Sequence, residues 1–84
     1  MTWALVWTRP ALKDMKKIDR SIARRVREAV IELAETGHGD VAKLKDTNPP
    51  EWRLRVGDRR VLFRFRSDLR EIHLLRVLRR DRAY

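Results

Sequence analysis

The stretch Trp52 to Phe65, WRLRVGDRRVLFRF, constrains the fold more than any other part of the chain. Two runs with period-2 alternation flank Gly57-Asp58, and glycine at the first of two turn positions suits a type II′ hairpin. A two-residue turn fixes the register: Val56 faces Arg59, Arg55 faces Arg60 and Arg53 faces Leu62. Alternation then puts Trp52, Leu54, Val56, Val61, Phe63 and Phe65 on one face and Arg53, Arg55, Arg60 and Arg64 on the other. The first face needs a layer to cover it. The second sets arginines directly opposite one another, which destabilises a sheet unless something negative sits between them.

The preceding half of the chain supplies the covering layer. WALVWT, residues 3–8, reads as a short buried first strand bounded by Arg9-Pro10. Pro10 fits the first turn of a helix, where its missing N–H is not needed, and Leu12, Met15 and Ile18 recur on that helix at helical spacing. Asp19 is placed to cap a second helix with the stripe Ile22, Val26, Ala29, Val30 and Leu33, and Gly37 ends it. Residues 37–50 read as a long loop, stiffened at its exit by Asn48-Pro49-Pro50; loops of this length are usually functional. After the hairpin and a polar turn at Ser67-Asp68 comes a last strand, 71–78, apolar on both faces as a central strand would be. There Ile72, Leu74 and Leu78 alternate with His73, Leu75 and Val77, and Arg76 falls on the Ile72/Leu74 side. The expected architecture is α+β: an N-terminal strand and a two-helix hairpin packed on a small, twisted, mainly antiparallel sheet, in the order β-α-α-β-β-β. With 84 residues, 43% of them hydrophobic, the chain supports one domain over 1–84 with one modest core.

Charge narrows the function classes. The net charge is +9; residues 1–42 carry +2 and residues 43–84 carry +7, and sixteen of the twenty-one cations are arginine. Arginine's planar fork holds phosphate in a bidentate manner and stacks on bases, so the asymmetry points to a polyanionic partner. The lack of cysteine excludes disulfides and thiolate-ligated metals, and no metal or cofactor is expected. Without a signal peptide or an apolar run of membrane-spanning length, no membrane partner and a cytoplasmic location are expected.

The order strand, helix hairpin, AKLKD loop, arginine hairpin and closing VLRRDRAY resembles the RelE/ParE toxin superfamily of bacterial and archaeal toxin–antitoxin systems, over almost the whole chain. The most specific parts of the likeness are the arginine hairpin and the spacing from Arg80 to Tyr84. RelE-type members are ribosome-dependent endoribonucleases that cut mRNA in the decoding site; ParE-type members share the fold and inhibit DNA gyrase. The resemblance implies catalytic roles for Arg55, Arg60, Arg80 and Tyr84, and RNA contacts for Lys43, Lys45, Arg53, Arg64, Arg79 and Arg82. It also implies a cognate antitoxin, with mRNA and the ribosome as further partners. Arg53 and Arg55 stand where the RelE pattern has lysines, and a guanidinium is a poor general base, so charge stabilisation outlasts that exchange better than proton abstraction does. A gyrase inhibitor and a degenerate binding module remain open alternatives. Trp3, Trp7 and Trp52 read as packing residues, His73 as structural, His38 as solvated, and Lys13, Lys16, Lys17, Arg20, Arg24, Arg25 and Arg27 as a solvated helical face.

Overall fold

The computed structural model describes residues 2–80. Strand β1 (Ala4–Trp7) leads into helices α1 (Arg9–Lys16) and α2 (Arg20–Thr36); strands β2 (Asp40–Lys43), β3 (Trp52–Val56), β4 (Arg59–Arg66) and β5 (Glu71–Arg79) follow. One five-stranded sheet runs in the order β1-β5-β4-β3-β2, with β1 parallel to β5 and the other pairs antiparallel. The α+β architecture holds, with one strand more than the sequence pattern supplies.

The arginine hairpin has the expected register: Val56 pairs with Arg59, Arg55 with Arg60 and Arg53 with Leu62. Gly57 takes φ +60° while Asp58 keeps a negative φ, the combination a type II′ turn requires. Leu54, Val61 and Phe63 lie fully inside, joined by Ile72, Leu74 and Val77 from β5 and covered by Ala11, Val26, Val30, Leu33 and Ala34. Trp3 and Trp52 pack on Phe65 at ring separations of 5.2 and 5.6 Å, as packing residues would.

Thr8 caps α1 through Ala11 N–H, and Pro10 occupies its first turn. The inward side of α1 carries Ala11 and Met15, with Ile18 following just past its end, whereas Leu12 is exposed. The small Ala11 side chain lets the helix lie close against β5. Asp19 takes the cap position of α2 without a side-chain hydrogen bond, and Gly37 closes that helix at φ +77° with its N–H on the Leu33 carbonyl.

Three features differ from the sequence reading. Asp40–Lys43, inside the expected loop, forms an edge strand on β3 because pairing with a formed neighbour outweighs its weak apolar pattern. The remaining loop is tied across its base, Leu44 N–H to the Glu51 carbonyl at 2.9 Å and Glu51 N–H to Thr47 Oγ1 at 2.9 Å. Strand β1 is an edge strand and only partly buried.

The third difference lies in β5. Leu62 pairs with Arg76 but Phe63 pairs with Leu74, so Leu75 is an extra, bulged residue. The bulge inverts the alternation: Val77, not Leu78, follows Ile72 and Leu74 into the core. Parallel pairing with β1 ends at Leu74, which leaves the edge of the bulged segment open. Residues from around α1 close it. Thr8 donates through its N–H and hydroxyl to the Leu74 carbonyl (3.1 and 2.8 Å), and the Asp14 carboxylate accepts from Val77 N–H at 2.9 Å. The same carboxylate takes both Arg76 donors, at 2.8 and 3.2 Å, which answers where Arg76 finds its partner.

Candidate nucleic-acid interface

The face of the sheet turned away from the helices is built by alternation on β3 and β4. Arg53 and Arg55 project from β3, and Arg60, Leu62 and Arg64 from β4. Leu78 stands across from Arg60, and the ladder continues one step further, with Arg80 N–H donating to the Asp58 carbonyl at 2.8 Å. Arg80 is exposed and is the first residue after β5, so its backbone lies at the Arg60 end of the sheet. The structure thus gathers Arg53, Arg55 and Arg60 on one face, with Arg80 following at its end. Arg82 and Tyr84 lie outside the described residues.

Intramolecular carboxylates divide these arginines into two groups. Asp40 on β2 lies opposite Arg55 and approaches both hairpin arginines, Arg53 Nη1 at 3.6 Å and Arg55 Nε at 3.8 Å. Arg53 also donates to the Asp40 carbonyl at 3.3 Å. Arg64 is bound to Glu51 at 2.8 Å. Arg60 has no carboxylate within 4 Å among the described residues, although it is only 3% exposed. Its Nη1 donates to the Arg59 carbonyl at 3.2 Å, and its Nε is buried without a partner. A buried charge is normally paired, because desolvation penalises it by several kcal/mol. Arg60 is the exception here, and it stands directly across from another arginine.

Other cations of the sequence reading fall elsewhere. Arg79 pairs with Arg59 on the helix side of the sheet, because the bulge reverses the alternation of β5. Lys43 pairs with Trp52 at the outer edge. Lys43 and Lys45 are exposed and line, with Arg53, a shallow depression of about 400 Å³. His73 stands across from Arg64 and is bound to Glu71 at 2.9 Å, four residues along β4 from Arg60. Asp40 and Glu51 were not visible as part of the site from sequence; the i, i+2 alternation of Asp40 and Ala42 could have flagged an edge strand carrying the counter-charge. Among the described residues no cluster of three or more His, Asp or Glu is placed to hold a metal ion, and no helix is long and apolar enough to cross a membrane.

A surface with a buried, unpaired guanidinium flanked by weakly held ones can bind an anion that bridges them. Each phosphate oxygen placed there gains charge-assisted hydrogen bonds and removes the repulsion between facing arginines.

The family model of the ParE toxin of the parDE type II toxin–antitoxin system matches residues 5–84. Among solved structures, the chain is similar to an archaeal RelE–RelB complex from Pyrococcus horikoshii OT3, with a TM-score of 0.80, 26% identity, and coverage of 99% of this chain and 100% of that one. It is also similar to the toxin–antitoxin complex RelBE2 from Mycobacterium tuberculosis (TM-score 0.83, 23% identity, 95% and 100% coverage), a likeness that shows the fold alone. No curated protein matches the sequence.

Proposed function

We propose, for a chain that belongs to the ParE toxin family of type II toxin–antitoxin systems, that the toxin acts as a ribosome-dependent endoribonuclease on mRNA. The observation that carries this reading is Arg60: buried, without a carboxylate within 4 Å among the described residues, and facing Arg55, with the Arg80 backbone at the same end of the sheet. In the reaction the ribose 2′-oxygen attacks the adjacent phosphorus, the bond from phosphorus to the 5′-oxygen breaks, and a 2′,3′-cyclic phosphate and a 5′-hydroxyl result. The extra negative charge of the phosphorane is what a preorganised guanidinium cluster stabilises, and such fixed charges are worth most where water is excluded. Arg55 and Arg60 hold the non-bridging oxygens; Arg80 neutralises the departing oxygen. Tyr84 orients or stacks on a base. Arg53, Arg64, Lys43, Lys45 and Arg82 are the remaining candidates for RNA contacts, and of these Arg53 and Arg64 share the Arg60 face; Arg79 stands on the helix side, away from it. The similar RelE–RelB complexes support an antitoxin as the neutralising partner.

The test is a reconstituted translation reaction with purified protein, read by primer extension. Codon-level cuts that need a translating ribosome and vanish with Arg60→Ala are the expected result; intact transcripts overturn it. The matching family model is the ParE one, which favours a second reading as a gyrase inhibitor. A supercoiling assay with the same preparation separates the two.

A further inference from the structure

A second like-charge pair stands across β4 and β5 on the opposite side of the sheet: Arg59 and Arg79 are direct partners. They follow Val61 and Val77 outward along the core side and reach the rim of the core near the end of α1. There they join Lys17, Ile18, Asp14 and Arg76 around a cleft of about 350 Å³. Four cations share it with one carboxylate.

That carboxylate is already committed. Asp14 accepts two hydrogen bonds from Arg76 and one from Val77 N–H. The Arg59 side chain is 12% exposed, and its Nε is buried with no hydrogen-bond partner; Asp58 Oδ1, at 3.8 Å, is out of hydrogen-bonding reach. Lys17 and Arg79 are exposed, and no carboxylate lies within 4 Å of either among the described residues. Lys17 and Arg79 therefore converge, with no carboxylate within 4 Å of either among the described residues, beside a largely desolvated Arg59 whose one nearby carboxylate, Asp58, stands at 3.8 Å. Ile18 and Val77 supply an apolar wall. A nucleic-acid backbone calls for a groove that follows successive phosphates. A single cleft with an apolar wall fits instead one carboxylate presented beside an apolar side chain, as on a protein segment.

We propose that this cleft is a docking site for an acidic segment of a partner protein, taking a Glu or Asp side chain next to an aliphatic one. The inference rests on the toxin–antitoxin reading for the existence of a protein partner and is independent of whether the toxin cleaves RNA.

The experiment uses fluorescence anisotropy with two labelled probes: a Leu-Glu-Glu-Leu-Glu-Leu peptide and a single-stranded RNA dodecamer. The proteins are the wild-type chain, the exposed charge reversal Lys17→Glu/Arg79→Glu, and Arg55→Glu on the other face, each checked for an unchanged thermal transition. The expected result is a peptide affinity about tenfold or more weaker in Lys17→Glu/Arg79→Glu, with RNA affinity changed by less than about twofold. Arg55→Glu shows the reverse, and a Gln-for-Glu peptide binds no better than background. A Lys17→Glu/Arg79→Glu protein that loses RNA and keeps the peptide overturns the proposal, as does equal peptide binding by all three proteins. Absence of peptide binding by the wild-type chain at millimolar concentration overturns it too. Cleavage is read separately in the translation reaction, so failure of the endoribonuclease reading leaves these outcomes unchanged.

Discussion

Replacing Arg60 by methionine separates a residue kept for binding from one kept for folding. The guanidinium is 3% exposed, holds one neutral acceptor, and leaves Nε without a partner. An unsatisfied buried donor destabilises by about 1–3 kcal/mol, and the one hydrogen bond to a charged group offsets about 1.5–3 kcal/mol. The desolvation of the charge itself, several kcal/mol per ion, has no carboxylate among the described residues set against it. Relief of the repulsion with Arg55 adds about 0.2–1 kcal/mol. Methionine keeps most of the volume without the charge, so Arg60→Met should stabilise the free protein by about 1–3 kcal/mol, the range seen when buried ionic groups become apolar. In a domain of this size that raises Tm by roughly 4 °C or more, since each kcal/mol moves the midpoint by about 4–8 °C. The assay is paired: urea and thermal unfolding of the free toxin, and growth arrest on induced expression. A more stable and harmless variant is expected. Loss of more than about 1 kcal/mol with growth arrest intact would refute the reasoning, because Arg60 would then be holding the fold together.

Asp14 gives the opposite sign. Burial pushes its carboxyl up, but the hydrogen bonds from Arg76 and Val77 N–H together outweigh that and hold it below its ordinary value of 3.8. Its contribution is therefore present above about pH 3.8 and lost as pH falls through the lower folded value, so stability against urea should fall more steeply below pH 4 in the wild-type chain than in Asp14→Asn. Asp14→Ala should cost about 2–4 kcal/mol by urea unfolding at neutral pH, most of it from the uncapped edge of β5, since Arg76 is half exposed and its pair is screened. Asp40→Asn frees Arg53 and Arg55 from the one carboxylate within 4 Å of them among the described residues, so single-stranded RNA affinity should rise about threefold to tenfold, with a steeper salt dependence. A Cβ on Gly39 would stand 2.8 Å from Leu54 Cδ1 in the core, so Gly39→Ala should lose about 1–3 kcal/mol in the same unfolding assay.

The parts of the fold legible in the sequence are those set by local rules. A two-residue turn with Gly57 at its first position dictated the β3–β4 register down to Arg55 opposite Arg60, and Gly37 marked the end of α2. The parts that were not legible depend on partners far along the chain. Strand β2 exists because β3 offers it a ladder, and Asp40 reaches Arg53 and Arg55 only through that ladder. Arg76 looked stranded on an apolar side because its carboxylate, Asp14, is 62 residues away. Leu12 looked like core because the period of α1 does not say which neighbouring stripe faces the sheet; the approach of α1 to the edge of β5 selected Ala11 instead.

The bulge at Leu75 links these points to function. In a regular strand starting from Ile72, Leu78 and Arg80 would continue on the core side, and Val77 and Arg79 would turn to the arginine face. One inserted residue exchanges the two sets: Val77 enters the core and Leu78 stands across from Arg60. The exchange also sends Arg79 to the helix side, where it meets Arg59. Each face thus carries an arginine pair at the same end of the sheet: Arg55 with Arg60, set by the Gly57 turn, and Arg59 with Arg79, set by the bulge. An extra residue in a ladder forfeits pairing, and here the open edge it leaves is closed by Thr8 and Asp14 rather than by another strand. The short β1, the close approach of α1 permitted by Ala11, and the buried Asp14 are thus the structural conditions for arginine pairs to stand on both faces at one end of the sheet.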